Sequence, residues 1–255
     1  MTTATANTST PIAPRFLPSG DTALVVEFGQ TIDRHISALV LALAQRIDDA
    51  KLDGVVETVP TFRSLMVHYD PLRLPQAKLK AHLAKFLDGL KPASAAARLW
   101  RIPACYDLSV APDLEEVSER TGVPIEEVVK IHTSILFHVY MIGFLPGYGY
   151  LGDLPEKLAL PRRQSPRVKV PMGSVAIAMT MSQVYALESP GGWNLIGRTP
   201  VPFWDQRREE PVLLRPGDKI KFEPMSLAEY ERLKAKVEAG PLDMQPEPVP
   251  AEARS

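Results

Sequence analysis

A chain of 255 residues, of which 45% are hydrophobic and 23% are charged, has the composition of an ordinary globular protein that can bury one large core or two small ones. Its formal net charge of −1 excludes recruitment of nucleic acid or an anionic membrane by overall charge, so a charged partner must be recognised by local clusters. The single cysteine, Cys105, excludes an internal disulfide, and no basic segment followed by an apolar one opens the sequence, which together indicate the cytoplasm.

The N-terminal part of the sequence predicts a small α+β domain over residues 15–93. Residues 1–14 are polar and proline-bearing, which is typical of a disordered tail. The segments "RFLP", "TALVVEF", "GVVETVP" and "SLMVHYD" have the composition of strands. Two segments predict helices, because apolar residues recur in them at helical spacing. These residues are Ile36, Val40, Leu43 and Ile47 in the first helix, and Leu79, Leu83, Phe86, Leu87 and Leu90 in the second. The order of elements predicts helices packed on an antiparallel sheet.

Two classes of partner are excluded by the local sequence. The longest uninterrupted apolar run, residues 38–44, is far shorter than the about 20 residues that a membrane span requires. The short helices predicted in "DLEEVSERTG" and "IEEVVKIHTS" have the layout of a DNA-binding helix-turn-helix, but their six acidic residues would face phosphates. We therefore expect neither a membrane nor a nucleic-acid partner.

The C-terminal part of the sequence predicts a barrel or sandwich of short strands over residues 98–240. The segment "KPASAAAR" has the small residues of a linker, and "LWRIPACYD" begins a new strand. Further strands are indicated by "FHVYMIGF", "SVAIAM", "QVYALE" and "PVLLRPGDKIKFEPM", and Gly and Pro corners separate them. A last helix is predicted over residues 227–239. The proline-bearing residues 241–255 predict a second disordered tail.

An arginine-rich loop, "PRRQSPRVKVP", is the first candidate for a binding site, and we call it the basic loop. It contains Arg162, Arg163, Arg167 and Lys169, with no acidic residue inside the loop to neutralise them. Guanidinium groups bind carboxylate and phosphate oxygens through paired hydrogen bonds, so the loop predicts a site for an anion or an acidic partner surface. The alternative is a solvated surface loop. The prolines restrict the freedom of the loop and therefore favour the binding interpretation.

Tyrosine and histidine side chains supply the other candidate groups. The loop "GFLPGYGYLGDLP" offers Tyr148 and Tyr150 to a ligand, but it lacks the Gly-Lys-Ser/Thr ending of a phosphate-binding loop. His132 and His138 do not have the spacing of a helical metal pair, so we expect no metal site. His132 is the candidate catalytic residue, and the alternative is a structural histidine that hydrogen-bonds at a helix end.

The loop "SPGGWNLIGRTP" has two glycines directly before a large aromatic ring. We expect Gly191 and Gly192 to let the chain turn beneath Trp193, whose ring closes the barrel. Arg198 is expected to point toward the same opening as the basic loop. This loop would then contribute both to the packing of the barrel and to the binding of a ligand.

Three segments, "YMIGFLPGYGYLGDLP", "LPRRQSPRVKVPMGSVAIA" and "ESPGGWNLIGRTPVPFWD", together resemble a bacterial family. The family comprises the B component of 5-oxoprolinase, allophanate hydrolase subunit 1 and a sporulation-kinase inhibitor, and it is that of the carboxyltransferase domain, subdomains C and D. The segments "GDTALVVEFG" and "VETVPTFRSLMVHYDP" are similar to the family's N-terminal domain. The resemblance implies an α+β fold in which a small α+β N-terminal domain precedes a cyclophilin-like β-barrel C-terminal domain.

The resemblance also indicates which residues form the site. With His132 as the catalytic candidate, the implied substrate-binding residues are Arg162, Arg163, Arg167, Tyr150, Tyr185, Arg198 and Trp193. Met181 is a further substrate-binding candidate, from a segment in which the sequence differs from the family. One segment departs from the family pattern, which usually has Gly-x-Gln-x-Gly after the Ser-Val strand. Here the segment reads Met179, Thr180, Met181, Ser182 and Gln183. Because two glycines and a polar amide are replaced by Met, Gln and Met, we expect a substrate that is less polar or larger than usual.

In function, the resemblance implies one subunit of a heteromeric, ATP-dependent hydrolase that acts on cyclic amides or related C–N bonds. The implied partners are a second subunit, of the type of the 5-oxoprolinase C component or allophanate hydrolase subunit 2, a third lactam-utilisation subunit and a small-molecule amide. ATP, with Mg, would be bound with or by the partner subunits. Two alternatives stay open, an inhibitor of a sensor histidine kinase and the carboxyltransferase half of a biotin-dependent urea carboxylase-like enzyme. Because no nucleophile, base and orienting group can be assembled from this chain, we expect a site that the partner completes.

Overall fold

The computed structural model describes residues 13–92 and 98–249 of the chain. The chain divides into two compact units, residues 1–93 and residues 94–255. Each unit has a hydrophobic core of its own, as expected of a domain.

The first unit is a four-stranded antiparallel sheet with two helices packed on it. Its strands, in the spatial order β1–β2–β4–β3, are β1 (Arg15–Ser19), β2 (Ala23–Glu27), β3 (Val55–Pro60) and β4 (Ser64–Tyr69). Its helices are α1 (Arg34–Ala50) and α2 (Gln76–Leu87). Val40, Leu43 and Leu79 on the helices are fully buried with Leu24 and Leu65 on the sheet. The predicted packing of helices on an antiparallel sheet is confirmed.

The second unit is built around a closed barrel of seven strands. The order around the barrel is β12–β9–β10–β7–β6–β13–β5, and β12 pairs back with β5 to close it. The strands are β5 (Arg98–Cys105), β6 (Phe137–Ile142), β7 (Gly149–Gly152), β9 (Ser174–Ala178), β10 (Met181–Val184), β12 (Asn194–Arg198) and β13 (Lys219–Met225). A two-stranded antiparallel ribbon, β8 (Arg167–Val170) with β11 (Ser189–Gly191), lies outside the barrel. The predicted α+β class with a C-terminal barrel is confirmed.

Helices complete the second unit. Side chains of α3 (Leu114–Thr121) and α4 (Ile125–Ser134) join the barrel core, in which every strand of the barrel is represented. A single 3₁₀ turn spans Glu156–Leu158, and α5 (Leu227–Ala239) begins at a capping box formed by Ser226 and Glu229. Of the helices in residues 13–92 and 98–249, none is both long and apolar enough to cross a membrane.

The segment after α5 differs from the predicted disordered tail. Glu247 and Pro248 form a short strand, β14, that pairs with β5, and the Glu247 carboxylate accepts hydrogen bonds from Arg101 at 3.0 and 3.1 Å. Val249 is 2% exposed, and Leu242 packs against the barrel core. The prediction is therefore wrong for residues 241–249, because the free edge of β5 offers backbone partners that composition does not reveal. The predicted N-terminal tail lies outside the described residues except for residues 13 and 14, and residues 250–255 lie outside them as well.

Candidate functional site

Two arginines of the basic loop are neutralised by acidic residues of a different segment. Arg163 donates to Asp113 at 3.0 Å and to Glu116 at 2.8 Å, and Arg167 donates to both carboxylate oxygens of Asp113. Asp113, just before α3, is 2% exposed and also accepts the backbone N–H of Leu195 at 2.7 Å. The hydrogen bond from Arg163 holds the pKa of Glu116 below its ordinary value. The interpretation of the loop as unneutralised is wrong, and these two guanidinium groups anchor it to the barrel unit.

Arg162 differs from its neighbour. It is exposed, and it makes no hydrogen bond or ion pair with any residue that the structure describes. Its Nε lies beside Gly192, at 3.8 Å from the position that a Cβ there would occupy. The guanidinium therefore lies close to the turn that carries Trp193.

Strand β10 divides its side chains between the two faces of the barrel wall, because alternate residues of a strand point in opposite directions. Ser182 and Val184 face the interior, where Val184 belongs to the barrel core. Met181 and Gln183 point outward, and Tyr185 continues this outward row just after the strand ends. The segment that departs from the family pattern therefore contributes to the outer surface.

Small residues of β9 lie beside this outward row. Ala178 is the partner of Met181, and Ala176 is the partner of Gln183. Only methyl groups project from β9 at these positions, which leaves a recess in the wall that the surrounding rings fill, since Ala176 and Ala178 are 0% and 2% exposed. Tyr150 on β7 and Trp193 next to β12 flank the recess, and their ring centroids lie 6.4 Å apart. We call this recess the aromatic trough, formed by Ala176, Ala178, Met181, Gln183, Tyr185, Tyr148, Tyr150 and Trp193.

Three tyrosine rings fill one end of the aromatic trough. The ring centroid of Tyr148 lies 5.3 Å from that of Tyr150 and 5.6 Å from that of Tyr185, each in an edge-to-face arrangement. Gly191 on the ribbon lies directly over the third ring, because a Cβ at Gly191 would be 2.1 Å from the Tyr185 hydroxyl oxygen. A glycine is required there to admit the ring, as the Gly-Gly pair in the sequence indicates.

Burial keeps the hydroxyl groups of these tyrosines protonated. It raises the pKa of Tyr148, Tyr150 and Tyr185, and the charge of Arg162 offsets part of the rise in Tyr150 and Tyr185. Arg162 itself is exposed and lies beside Gly192, next to Trp193, and therefore at the rim of the aromatic trough. The trough thus presents neutral hydroxyl groups at its closed end and a cation at its rim.

Gln183 is the polar residue at the centre of the trough. It is fully buried, and its amide nitrogen and oxygen have no hydrogen-bond partner among the described residues. Tyr148 and Tyr185 lie close enough for the amide to affect their pKa values, but outside hydrogen-bonding geometry with it. Gln183 is absent from the predicted site residues. Its spacing of two residues from Met181 is the signal that could have found it, because residues two apart in a strand share one face.

His132 lies in the core and not in the trough. Its Nδ1 is 2.9 Å from the Tyr106 hydroxyl oxygen and its Nε2 is 2.9 Å from the Ser182 hydroxyl oxygen. The ring is fully buried beside Phe137 and Phe222, and this burial lowers the pKa of His132 to about 3. With both ring nitrogens engaged and no exposed surface, the geometry supports the structural alternative over a catalytic role.

The structure separates Arg198 from the other predicted binding residues. Arg198 is the last residue of β12, and its Nε donates to the Met172 carbonyl at 3.1 Å. Its charge acts on Tyr230 of α5, where it lowers a pKa that burial raises. Within residues 98–249 it makes no hydrogen bond or ion pair with the basic loop or Trp193. The expectation that it shares their opening is not supported.

Trp193 packs on the outer wall of the barrel. It is 8% exposed and lies in a cluster with Tyr185 and Leu195, distinct from the interior core. Its ring therefore covers the outer face of β9 and does not close the barrel, which β12 and β5 close through their backbones. Of the predicted binding residues, the structure brings together Trp193, Tyr150, Tyr185, Met181 and Arg162.

A metal site would need at least three suitable side chains in one place. Among the residues that the structure describes, no group of three or more His, Cys, Asp or Glu side chains is placed to hold a metal ion.

Comparisons with known proteins give the context of this site. Residues 14–214 match the family described as carboxyltransferase domain, subdomain C and D. The chain is 36% identical over 229 residues to the B component of 5-oxoprolinase from Bacillus subtilis (strain 168), a match that covers 84% of this chain and 94% of that protein. It is 38% identical over 208 residues to the B component of 5-oxoprolinase from Escherichia coli O157:H7, covering 80% and 93% of the two chains.

A solved structure shares the fold at lower identity. The crystal structure of the Kluyveromyces lactis urea carboxylase aligns with a TM-score of 0.78 at 20% identity, over 92% of this chain and 24% of that longer chain. The match of the family over most of the sequence, together with the identities to the two bacterial proteins, settles the assignment. The chain belongs to the family of the carboxyltransferase domain, subdomains C and D.

Proposed function

We propose that this chain is one subunit of a 5-oxoprolinase-like hydrolase that opens a cyclic amide, and that the aromatic trough is its part of the substrate site. Relatives named as the B component of 5-oxoprolinase align with it over 94%, 93% and 95% of their own lengths, which supports an equivalent place in an assembly.

The observation that carries the proposal is the position of Arg162 at the rim of the aromatic trough. An exposed guanidinium with no partner among the described residues is suited to a substrate carboxylate, which it can bind with two parallel hydrogen bonds. The faces of Tyr150 and Trp193 suit a small ring. A carboxylated cyclic amide such as 5-oxoproline combines both features.

The trough by itself supports binding better than catalysis. Its tyrosines are held neutral, and His132 is enclosed in the core. A general base or nucleophile would have to come from a second polypeptide, of the type of the 5-oxoprolinase C component or allophanate hydrolase subunit 2. We further propose that ATP, with Mg, is bound with or by the partner subunits, among them a third lactam-utilisation subunit.

A second candidate function is the carboxyltransferase half of a biotin-dependent enzyme. The description of the matching family and the fold shared with a urea carboxylase favour it. In that case the trough would hold a flat ureido group. No feature of the described residues favours inhibition of a histidine kinase over these two functions.

The test is to purify this chain alone and together with the second and third subunits encoded in the same genome. ATP hydrolysis is measured with 5-oxoproline, allophanate, hydantoin and a larger lactam. We expect stimulation by a cyclic amide in the complex and none with this chain alone. Activity of the isolated chain would refute a shared site, and a complex that none of these compounds stimulates would refute the hydrolase. Biotin-dependent carboxylation by the complex would instead support the second candidate.

A further inference from the structure

The Gln183 side chain is unusual because it is buried without being satisfied. Its exposed fraction is 0%, and both amide atoms have no hydrogen-bond partner among the residues that the structure describes. Buried polar groups in folded proteins are normally paired, since each unpaired one carries the cost of its lost hydration. An apolar residue of the same size would avoid this cost, so the amide calls for an explanation outside stability.

Along β10, the outward side chains become less buried from Gln183 toward Met181. Along the outward row of β10, Met181 is half-buried, whereas Gln183 and Tyr185 are buried. Tyr150 on the neighbouring strand is half-buried as well. Displacement of the flexible Met181 thioether would bring a ligand to the amide from this side.

Carboxamide chemistry indicates what the amide would recognise. A primary carboxamide presents a carbonyl oxygen and an N–H side by side, and a cyclic amide presents its own N–H and carbonyl side by side on one edge. The two edges are complementary, with each group donating one hydrogen bond and accepting one. The neutral hydroxyl groups of Tyr148 and Tyr185 lie close to the same amide and are held protonated by burial.

We propose that Gln183 is a specificity-determining residue that reads the cis-amide edge of a cyclic substrate. Its carbonyl oxygen accepts the ring N–H, and its NH₂ group donates to the ring carbonyl. This inference rests on the proposed function and deepens it. It differs from the expectation of a less polar substrate, because Gln183 supplies an amide two residues from Met181 on the same face of β10.

The experiment measures binding of two probes, 2-pyrrolidinone and N-methyl-2-pyrrolidinone, to the full chain alone and in its complex. The second probe lacks the N–H that would donate a hydrogen bond to the carbonyl oxygen of Gln183. Binding is followed by NMR of glutamine side-chain amides labelled with ¹⁵N, in which the Gln183 signal is identified by its loss in Gln183→Leu. Gln206→Leu makes the same chemical change at an exposed position and serves as the control.

We expect 2-pyrrolidinone to shift the Gln183 signal and to bind roughly tenfold more tightly than the methylated probe, as the loss of a hydrogen bond in a buried site implies. Gln183→Leu should abolish this preference without lowering the melting temperature, whereas Gln206→Leu should keep the preference.

Three results would overturn the inference. They are no binding of 2-pyrrolidinone to chain or complex, an unchanged preference in Gln183→Leu, and a melting temperature that falls in Gln183→Leu, which would mark a structural amide. If the probes bind as expected but the complex hydrolyses no cyclic amide, the inference stands and the proposed function fails.

Discussion

Arg167 and Asp113 form a bidentate ion pair, in which the two terminal guanidinium nitrogens donate to the two carboxylate oxygens at 2.9 and 2.5 Å. The same carboxylate accepts hydrogen bonds from Arg163 and from the backbone of Leu195. One buried side chain therefore ties the basic loop and β12 to the start of α3.

Replacement of Asp113 by asparagine should lower the free energy of unfolding of the second unit by about 3 kcal/mol, because two guanidinium groups lose a shared buried anion. Urea denaturation followed by tryptophan fluorescence measures this unit, since Trp100, Trp193 and Trp204 all belong to it. Glu119→Gln removes the same charge from an exposed position of α3 and should cost less than about 0.5 kcal/mol. Equal effects of the two changes would contradict the anchoring role.

Gly191→Ala should destabilise the second unit by about 1–3 kcal/mol, because the added methyl group overlaps the Tyr185 hydroxyl. The matched control is Gly240→Ala, where a Cβ meets nothing within 4 Å and the backbone is extended. The melting temperatures of both variants are compared with that of the parent protein. A Gly191→Ala protein as stable as the Gly240→Ala protein would mean that the ring and the ribbon do not pack as described.

The buried His132 makes stability depend on pH below neutrality. Burial lowers its pKa from 6.5 to about 3, so the unfolded chain takes up a proton at a pH where the folded chain does not. Stability is therefore complete above about pH 6.5 and is lost as the pH falls toward 3. Between pH 7.5 and pH 5 the loss from this group should be about 2 kcal/mol.

Urea denaturation at these two pH values checks the prediction. His132→Asn should start from a lower stability, because it breaks the contacts with Tyr106 and Ser182, but should lose less on acidification. His35→Asn, an exposed change in the first unit, should keep the loss of the parent protein. A loss in His132→Asn as large as in the parent would show that another group is responsible.

Arg162→Ala should impair binding of carboxylated substrates without destabilising the fold. In the assembled complex we expect a rise in KM of roughly 10–100-fold for 5-oxoproline, from the loss of hydrogen bonds to a charged group. The uncharged 2-pyrrolidinone should be affected much less, and the melting temperature should not change. Arg163→Ala gives the contrast, because it breaks ion pairs with Asp113 and Glu116 and should lower the melting temperature. An unchanged KM for 5-oxoproline in Arg162→Ala would remove this residue from the site.

The regular elements follow from the sequence where one face of a segment is buried. The apolar spacing of Val40, Leu43 and Ile47 locates α1, and α5 occupies the predicted residues 227–239. Strand β10 begins at Met181, before the predicted "QVYALE", because its start is set by pairing with Ala178 across the hairpin. Local composition predicts that a strand exists, whereas partners from other segments determine its ends.

The site is harder to predict because its contacts join distant parts of the chain. Asp113 pairs with residues about fifty positions away, and nothing in the neighbouring helix α3 indicates that it neutralises the basic loop. The orientation of His132 into the core depends on Ser182, again fifty residues away. The resemblance to the family identifies the segments that meet at the trough. It does not distinguish Arg162 from the structural Arg163 and Arg167, because only the folded chain shows which of these arginines are paired with acidic residues.

The alternation of inward and outward side chains along β10 determines which of its positions can change without disturbing the barrel. Its inward residues, Ser182 and Val184, maintain the barrel, and its outward residues are free of that task. Positions that hold the barrel together and positions on its outer face are thus interleaved but separate. A substitution at position 181 or 183 can therefore change what the outer face contacts while the barrel beneath persists.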